Sequence, residues 1–161
     1  MRAEYVNSFI GAARSVIQDL CNTEVKLGKV YIRQAPLSVA NVVIMVGVVG
    51  EVVGQVYFEL SASTAKSLAS LMLGGMQIDE LDELGKSAIS EMGNMIMGNA
   101  GVLLADYNID IEITPPSLLT GEKIQISSKY PTLVIPLEIG EWGQLAINVS
   151  VKEREAKKEL A

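Results

Sequence analysis

The sequence predicts one α+β domain in which long helices pack on an antiparallel β-sheet. Three observations support this fold class. Hydrophobic residues make up 49% of the 161 residues, enough for one compact domain with a core. Apolar residues recur at helical spacing in two long segments, and β-branched runs occur at short spacing with turn residues between them. We place the domain at residues 1–151 and a charged, solvated tail at residues 152–161.

Residues 4–21 are predicted to form an amphipathic helix. Its apolar stripe consists of Val6, Phe9, Ile10, Ala13, Ile17 and Leu20. Asn22 follows the helix and is well placed to end it. Cys21 is the only cysteine in the sequence, so it has no partner for an internal disulfide. We expect it to pack in the core and not to act as a reactive thiol.

Three strand segments follow this helix. Residues 25–33 have the pattern of a strand, and Pro36 marks a loop after them. Residues 41–47 and 52–60 are rich in β-branched side chains, and the turn residues at 49–51 join them. This arrangement predicts a β-hairpin.

Two further helices are predicted before the chain returns to strands. The first covers residues 64–73, with hydroxyl side chains available to cap it and two glycines to end it. The second is a long helix over residues 83–107, which Asp79 or Asp82 can cap. Its methionines, at positions 92, 95 and 97, are expected to fill the core. Four strands separated by turn residues follow at residues 109–113, 123–127, 132–139 and 143–151.

The long helix has two unlike faces. At 100° per residue, a small or polar arc is formed by Ser87, Glu91, Asn94, Gly98, Gly101 and Ala105. The opposite, apolar arc is formed by Ile89, Met92, Ile96, Ala100, Leu103 and Tyr107. Each glycine inside a helix costs about 1 kcal/mol relative to alanine, and Gly93, Gly98 and Gly101 lie within three turns. We therefore expect another surface to approach this helix closely, near the carboxylate of Glu91 and the amide of Asn94.

The order of elements indicates an internal duplication. A shift of 87 positions sets Glu4 on Glu91 and Asn7 on Asn94, with apolar positions largely matched between the two helices. We therefore expect two similar halves, each a helix followed by antiparallel strands.

Charge and hydropathy exclude several kinds of partner. The net charge is −6 and the pI is near 4.7, so no basic surface attracts nucleic acid or anionic lipid, and a protein partner suits the acidic surface better. The longest apolar run, residues 42–49, is far too short to span a bilayer, and the N-terminus lacks the pattern of a signal peptide. We expect a cytoplasmic protein that does not bind membranes.

The sequence contains no histidine, which excludes much of catalytic chemistry. A Ser-His-Asp or Cys-His arrangement and a His/Cys zinc cluster are both ruled out, and we expect no metal site. The remaining groups are carboxylates, amides, hydroxyls and lysines, or groups that a partner supplies.

One motif resembles a known family. Ser87-xxx-Glu91-xx-Asn94, followed twenty residues later by Thr114-Pro115-Pro116, resembles the signature of the CheC/CheX/FliY phosphatases of bacterial chemotaxis. The single well-formed motif, the length and the helical N-terminus are most similar to the CheX-type members. The resemblance covers nearly the whole chain, to about residue 152.

The resemblance implies a phosphatase that dephosphorylates a phosphorylated CheY-like response regulator. It implies a duplicated fold of long helices on antiparallel sheet, and a homodimer. Asn94 and Glu91 take the places of the catalytic motif Asn and Glu, and we assign Ser87, Gly98 and Gly101 to the face that contacts the partner. No cofactor of its own is implied, because the regulator supplies Mg²⁺ and a lysine. Asn94 would then orient the attacking water and Glu91 would pair with that lysine.

Glu4 and Asn7 of the first helix would form a degenerate second site. The sequence begins too close to Glu4 to supply the upstream motif position, and the CheX-like pattern leaves this helix without a working site.

Two other functions stay open from the sequence. One is a non-catalytic adaptor that docks on a receiver domain or a flagellar-switch protein through the same helix. The other is a small-ligand sensor domain, which would require a deep apolar pocket and not an exposed polar stripe.

Overall fold

The computed structural model describes residues 2–155, and within them three α-helices pack on an antiparallel sheet. Helix α1 covers Ala3–Cys21, and the predicted stop at Asn22 is confirmed, since this residue has a left-handed backbone with φ 49°. Cys21 is 8% exposed, and burial raises the pKa of its thiol to about 11. It is therefore a core residue and not a reactive thiolate, as predicted.

The other two helices begin at side-chain caps. Helix α2 covers Ala62–Met72, and its N-cap Ser61 accepts a hydrogen bond from a backbone N–H of the first turn. Helix α3 covers Glu83–Ala105 and is capped by Asp82, not by Asp79. None of the helices among residues 2–155 is both long and apolar enough to cross a membrane.

The described chain forms ten strands. They are β1 (Lys26–Leu27), β2 (Tyr31–Arg33), β3 (Leu37–Ser38), β4 (Val42–Gly50), β5 (Val52–Leu60), β6 (Ile111–Ile113), β7 (Ser117–Thr120), β8 (Gln125–Ile126), β9 (Thr132–Glu138) and β10 (Gln144–Glu153). A 3₁₀ turn, Gly140–Trp142, connects the last two. The hairpin of β4 and β5 is confirmed.

The strand predictions differ from the structure in several places, and β3 at Leu37–Ser38 was not predicted. The predicted strand at residues 25–33 is split into β1 and β2, both paired with β9, and Gly28 between them donates its N–H to the Pro136 carbonyl at 2.8 Å. Strand β7 was not predicted, because the two prolines before it indicated a loop. Strand β10 extends through Glu153, two residues into the predicted tail, because it stays paired with β5. The rest of the predicted tail beyond Glu155 lies outside the described residues.

The sheet topology confirms the duplication. The main sheet has the order β1-β9-β10-β5-β4-β6, with β2 also on β9 and β7 also on β4. Strands β1 and β2 thus pair with β9 of the second half, as β6 and β7 pair with β4 of the first. Strands β5 and β10 pair at the centre, and β3 pairs with β8 in a small separate sheet. The two halves therefore interlock, and neither completes a sheet alone.

The main sheet has a buried layer on each face. One face, with Ile44, Phe58 and Ile147, packs into the large core that includes the helices. The other face carries Tyr57 in a smaller cluster, which β3 and β8 cover. Glu59 also lies on this second face, where Asn148 donates to it at 3.2 Å. Burial raises the pKa of Glu59 above its ordinary value, and nearby polar groups oppose this only in part.

Candidate active site on helix α3

The buried face of α3 is the one that the sequence predicts. Ile89, Met92, Ile96 and Ala100 are fully buried. Tyr107 is an exception, because the helix ends at Ala105 and Tyr107 is 48% exposed in the turn that follows.

Gly93 explains part of the unusual glycine content of α3. A Cβ placed on Gly93 would lie 2.9 Å from Cγ2 of Ile44 in β4, closer than real Cβ atoms come to a neighbour. The surface that approaches Gly93 is thus the protein's own sheet, and not a second protein. The predicted close approach of a second protein therefore concerns only Gly98 and Gly101.

Glu91 and Asn94 lie one turn apart at the outer surface of α3. Glu91 is exposed and Asn94 is half-buried. The three ion pairs within residues 2–155 use the carboxylates of Glu4, Glu83 and Glu153, so no cation of the described chain holds Glu91. A carboxylate and an amide are therefore both presented outward, and the carboxylate is uncompensated.

The three predicted contact residues have different surroundings. Ser87 and Gly98 are exposed on the same side as Glu91. A Cβ placed on Gly98 would meet no atom within 4 Å, so this part of the helix faces open space. Gly101 is half-buried, and a Cβ there would lie 3.8 Å from Cγ1 of Ile111 in β6. The structure thus brings Ser87 and Gly98 to the exposed site and places Gly101 at its edge.

The predicted second site lies at the start of α1. Asn7 is exposed, and Glu4 is half-buried in the first turn of the helix. The Glu4 carboxylate is 3.7 Å from the guanidinium of Arg2, which also pairs with Glu153 at 3.3 Å. Glu4 therefore has a partner within its own chain, whereas Glu91 has none in the described residues.

Thr114 of the motif has a structural role. Its hydroxyl accepts the N–H of Gly47 at 2.8 Å, and its own N–H donates to the Gly47 carbonyl at 3.0 Å. A Cβ on Gly47 would lie only 2.8 Å from the Thr114 side chain. This close contact fixes the connection between β6 and β7 to the middle of β4.

The outer surface of α3 has one feature that was not predicted. Three large apolar side chains are exposed there: Leu84, Met95 and Val102. Met95 was expected in the core, which is wrong, although Met92 and Met97 are buried as expected. Helical periodicity alone places all three near Glu91 and could have revealed them.

The site lies on an open part of the helix surface, since an added Cβ on Gly98 would meet no atom within 4 Å. Residues 2–155 hold no group of three or more Cys, Asp or Glu side chains arranged to bind a metal ion. A groove of about 730 Å³ opens between the start of α1 and the strands β2 and β9, and no residue of α3 lines it. The outward-facing pair on α3 is therefore suited to act on a group that another molecule presents.

Solved structures with this fold include CheC-like proteins. A CheC-like superfamily protein from Shewanella sp. PV-4 superposes with a TM-score of 0.84 at 22% sequence identity, covering 94% of this chain and 99% of that chain. The predicted CheC-like α+β fold is confirmed. The fold is CheC-like, and its helix α3 carries an exposed acid, Glu91, and a half-buried amide, Asn94, at its outer surface.

Sequence comparison identifies the family within this class. The family described as chemotaxis phosphatase CheX matches residues 42–138. The CheY-P phosphatase CheX of Thermotoga maritima is 32% identical over 158 residues, which cover 94% of this chain and 98% of that protein. The chain belongs to the CheX family of chemotaxis phosphatases, as the motif predicts. A chain of the CheX–CheY–BeF3–Mg²⁺ complex from Borrelia burgdorferi is also similar, with 28% identity, a TM-score of 0.80, and coverage of 94% of this chain and all of that chain.

Proposed function

We propose that this phosphatase hydrolyses the aspartyl phosphate of a CheY-like response regulator, with Asn94 orienting the attacking water and Glu91 pairing with a lysine of the regulator. The observation that carries the proposal is the pair itself, one turn apart on the exposed side of α3. Its relative in Thermotoga maritima is named for CheY-P, and the relative in Borrelia burgdorferi forms a complex with CheY, which supports this choice of substrate.

The chemistry asks little of the phosphatase. An aspartyl phosphate is a reactive acyl phosphate, so the helper protein needs mainly to place a water in line with the phosphorus. The amide of Asn94 can accept a hydrogen bond from water through its oxygen and donate one through its nitrogen. Mg²⁺ would come with the regulator, and the Mg²⁺ in the Borrelia burgdorferi complex supports this.

Glu91 would set the register of the two proteins. Its carboxylate is exposed and lacks a cationic partner among the described residues, so it can pair with a lysine beside the phosphate. An opposite charge across an interface orients the partner and penalises wrong partners. Pairing at Glu91 would hold Asn94, one turn further along α3, against the phosphorus.

The test is the release of phosphate from a phosphorylated receiver in the presence of Mg²⁺. Asn94→Ala should lower kcat/KM by about 100-fold, the loss expected when a reacting group is misplaced. Asn99→Ala is the matched control for the chemical step, because Asn99 is an exposed asparagine of the same helix about 140° around its axis from Asn94, and it should retain the wild-type kcat. Equal rates for Asn94→Ala and wild type would refute the role of Asn94.

The role of Glu91 has a separate control. Glu91→Ala should raise KM for the receiver, whereas Glu112→Ala, an exposed glutamate on β6, should not. Unchanged affinity in Glu91→Ala would exclude the pairing with lysine. A wild-type protein that binds the phosphorylated receiver without releasing phosphate would instead be the adaptor.

We also propose that the protein is a homodimer and meets its regulator in the cytoplasm. The β1 and β2 end of the sheet supports a dimer, because Leu27 and Ile32 are 40% and 65% exposed there. Light scattering at micromolar concentration should give twice the chain mass of 17.3 kDa. A mass of 17.3 kDa would exclude the dimer.

A further inference from the structure

Three exposed apolar side chains of α3 lie in one line. Leu84, Met95 and Val102, here called the apolar row, are 51%, 43% and 67% exposed. At 100° per residue they lie within about 20° of one another around the helix axis, and Glu91 lies within about 20° of Leu84. The row therefore runs along the side of the proposed site, with Glu91 in the same line.

The row does not belong to the protein's own core. The core side of α3 is formed by other residues, which are fully buried. Single exposed apolar residues are common on protein surfaces and need no explanation. Three in line with an uncompensated carboxylate are different, since apolar surface next to a polar site is typical of a place where a partner docks.

Geometry determines what must cover the row. With a rise of 1.5 Å per residue, Met95 lies about 1.5 Å along the axis from Asn94, Val102 about 12 Å, and Leu84 about 15 Å in the other direction. A receiver domain of about 100 residues has a radius of gyration near 13 Å. The row lies about 80–100° around the helix axis from Asn94, on the flank that carries Glu91, so a receiver of this size that brings its phosphate to Asn94 also extends over that flank.

The charges of α3 indicate the chemistry of the covering surface. Between residues 84 and 105 the only charged residues are Lys86 and Glu91. Lys86 is about 140° from Glu91 around the helix and lies 3.6 Å from the carboxylate of Glu83. On α3 itself the outer surface around Glu91 is therefore uncharged, and its complement is an apolar rim around a phosphate and a lysine.

We propose that the apolar row is the docking surface for the receiver domain and provides affinity, while Glu91 and Asn94 provide orientation and chemistry. This inference rests on the proposed function, since it takes the occupant to be the receiver. The row makes the same contacts before and during phosphate release. It contributes uniform binding, which sets KM and leaves kcat unchanged.

The experiment compares two identical substitutions. Val102→Ser removes part of the row, and Val49→Ser is the control, because Val49 is 44% exposed in β4 next to Val48, which faces the helices. Since side chains alternate along a strand, Val49 lies on the sheet face opposite the helices. Val102→Ser should raise KM for the phosphorylated receiver about tenfold with kcat within about twofold of wild type. Val49→Ser should change neither.

Further variants and a binding measurement distinguish a failure of the docking surface from a failure of the proposed function. Leu84→Ser and Met95→Ser should also raise KM, and affinity for a receiver loaded with BeF3 and Mg²⁺ should fall in parallel, with thermal unfolding unchanged. Unchanged KM and affinity in all three variants would overturn the docking surface and leave the proposed function intact. A wild-type protein without phosphatase activity would overturn the proposed function. Even if the wild-type protein had no phosphatase activity, the apolar row would be supported as the docking surface if Val102→Ser lost affinity for the BeF3-loaded receiver and Val49→Ser retained it.

Discussion

Replacing Gly98 by alanine should stabilise the protein and impair it. Gly98 is inside α3 and exposed, and an added Cβ would meet no atom within 4 Å. The substitution therefore costs no contact in the free protein and removes the helix penalty of glycine, about 1 kcal/mol. For a chain of this size, 1 kcal/mol raises Tm by about 2–4 °C.

The same methyl group should hinder the reaction. Gly98 lies four residues after Asn94, which is about 6 Å along the axis and 40° around it. A Cβ projects about 1.5 Å from the backbone, and a displacement of about 1 Å at a reacting centre costs about 100-fold in rate. We expect Gly98→Ala to lower kcat/KM to a similar degree, because the receiver would be held away from Asn94.

Two measurements on one variant test this reasoning. Thermal unfolding gives the stability, and phosphate release from a phosphorylated receiver gives the rate, with Asn99→Ala as the control for a neighbouring exposed position. A higher Tm with an unchanged rate would show that Gly98 does not serve a close approach. A lower Tm would show that the space around Gly98 is not open.

Three further predictions concern stability. Gly93→Ala should lower Tm, because overpacking against Ile44 costs about 1–3 kcal/mol and outweighs a helix gain of about 1 kcal/mol; a higher Tm would mean that this contact relaxes freely. Asp82→Ala should cost about 1 kcal/mol by removing the cap of α3, with Asp79→Ala near wild type in the same denaturant titration. Glu59→Gln should stabilise the protein at neutral pH. Because the pKa of Glu59 is raised in the native state, the native state loses stability as pH rises from the ordinary carboxyl range through that pKa. Glutamine does not ionise and avoids this loss. The gain in stability should disappear at pH values below the ordinary carboxyl range. A difference in unfolding free energy between Glu59→Gln and wild type that does not change with pH would contradict this prediction.

Local patterns were enough to predict the helices and the placement of Glu91 and Asn94 on one face of α3. The stop at Asn22, the hairpin of β4 and β5 and the buried face of α3 depend on residues close in sequence, so periodicity and turn chemistry reveal them. Glu91 and Asn94 were found because residues three apart on a helix share a face. Their catalytic roles stay predictions until the substitutions are measured.

Tertiary pairing decided what local patterns could not. Strand β7 exists because Leu118 pairs with Ile44 across the sheet, although the prolines before it indicated a loop. The two halves interlock because strands that follow each helix find their partners in the other half, which no short segment specifies.

The surface of α3 shows the same division. The sequence by itself determined that this helix has one apolar arc and one small, polar arc, because that depends only on the helical repeat. Only the tertiary structure decided that β4 packs against Gly93 and that Met95 and Val102 stay exposed. The reason is that the neighbouring elements cover only part of the helix circumference, and their positions are fixed by contacts distant in sequence.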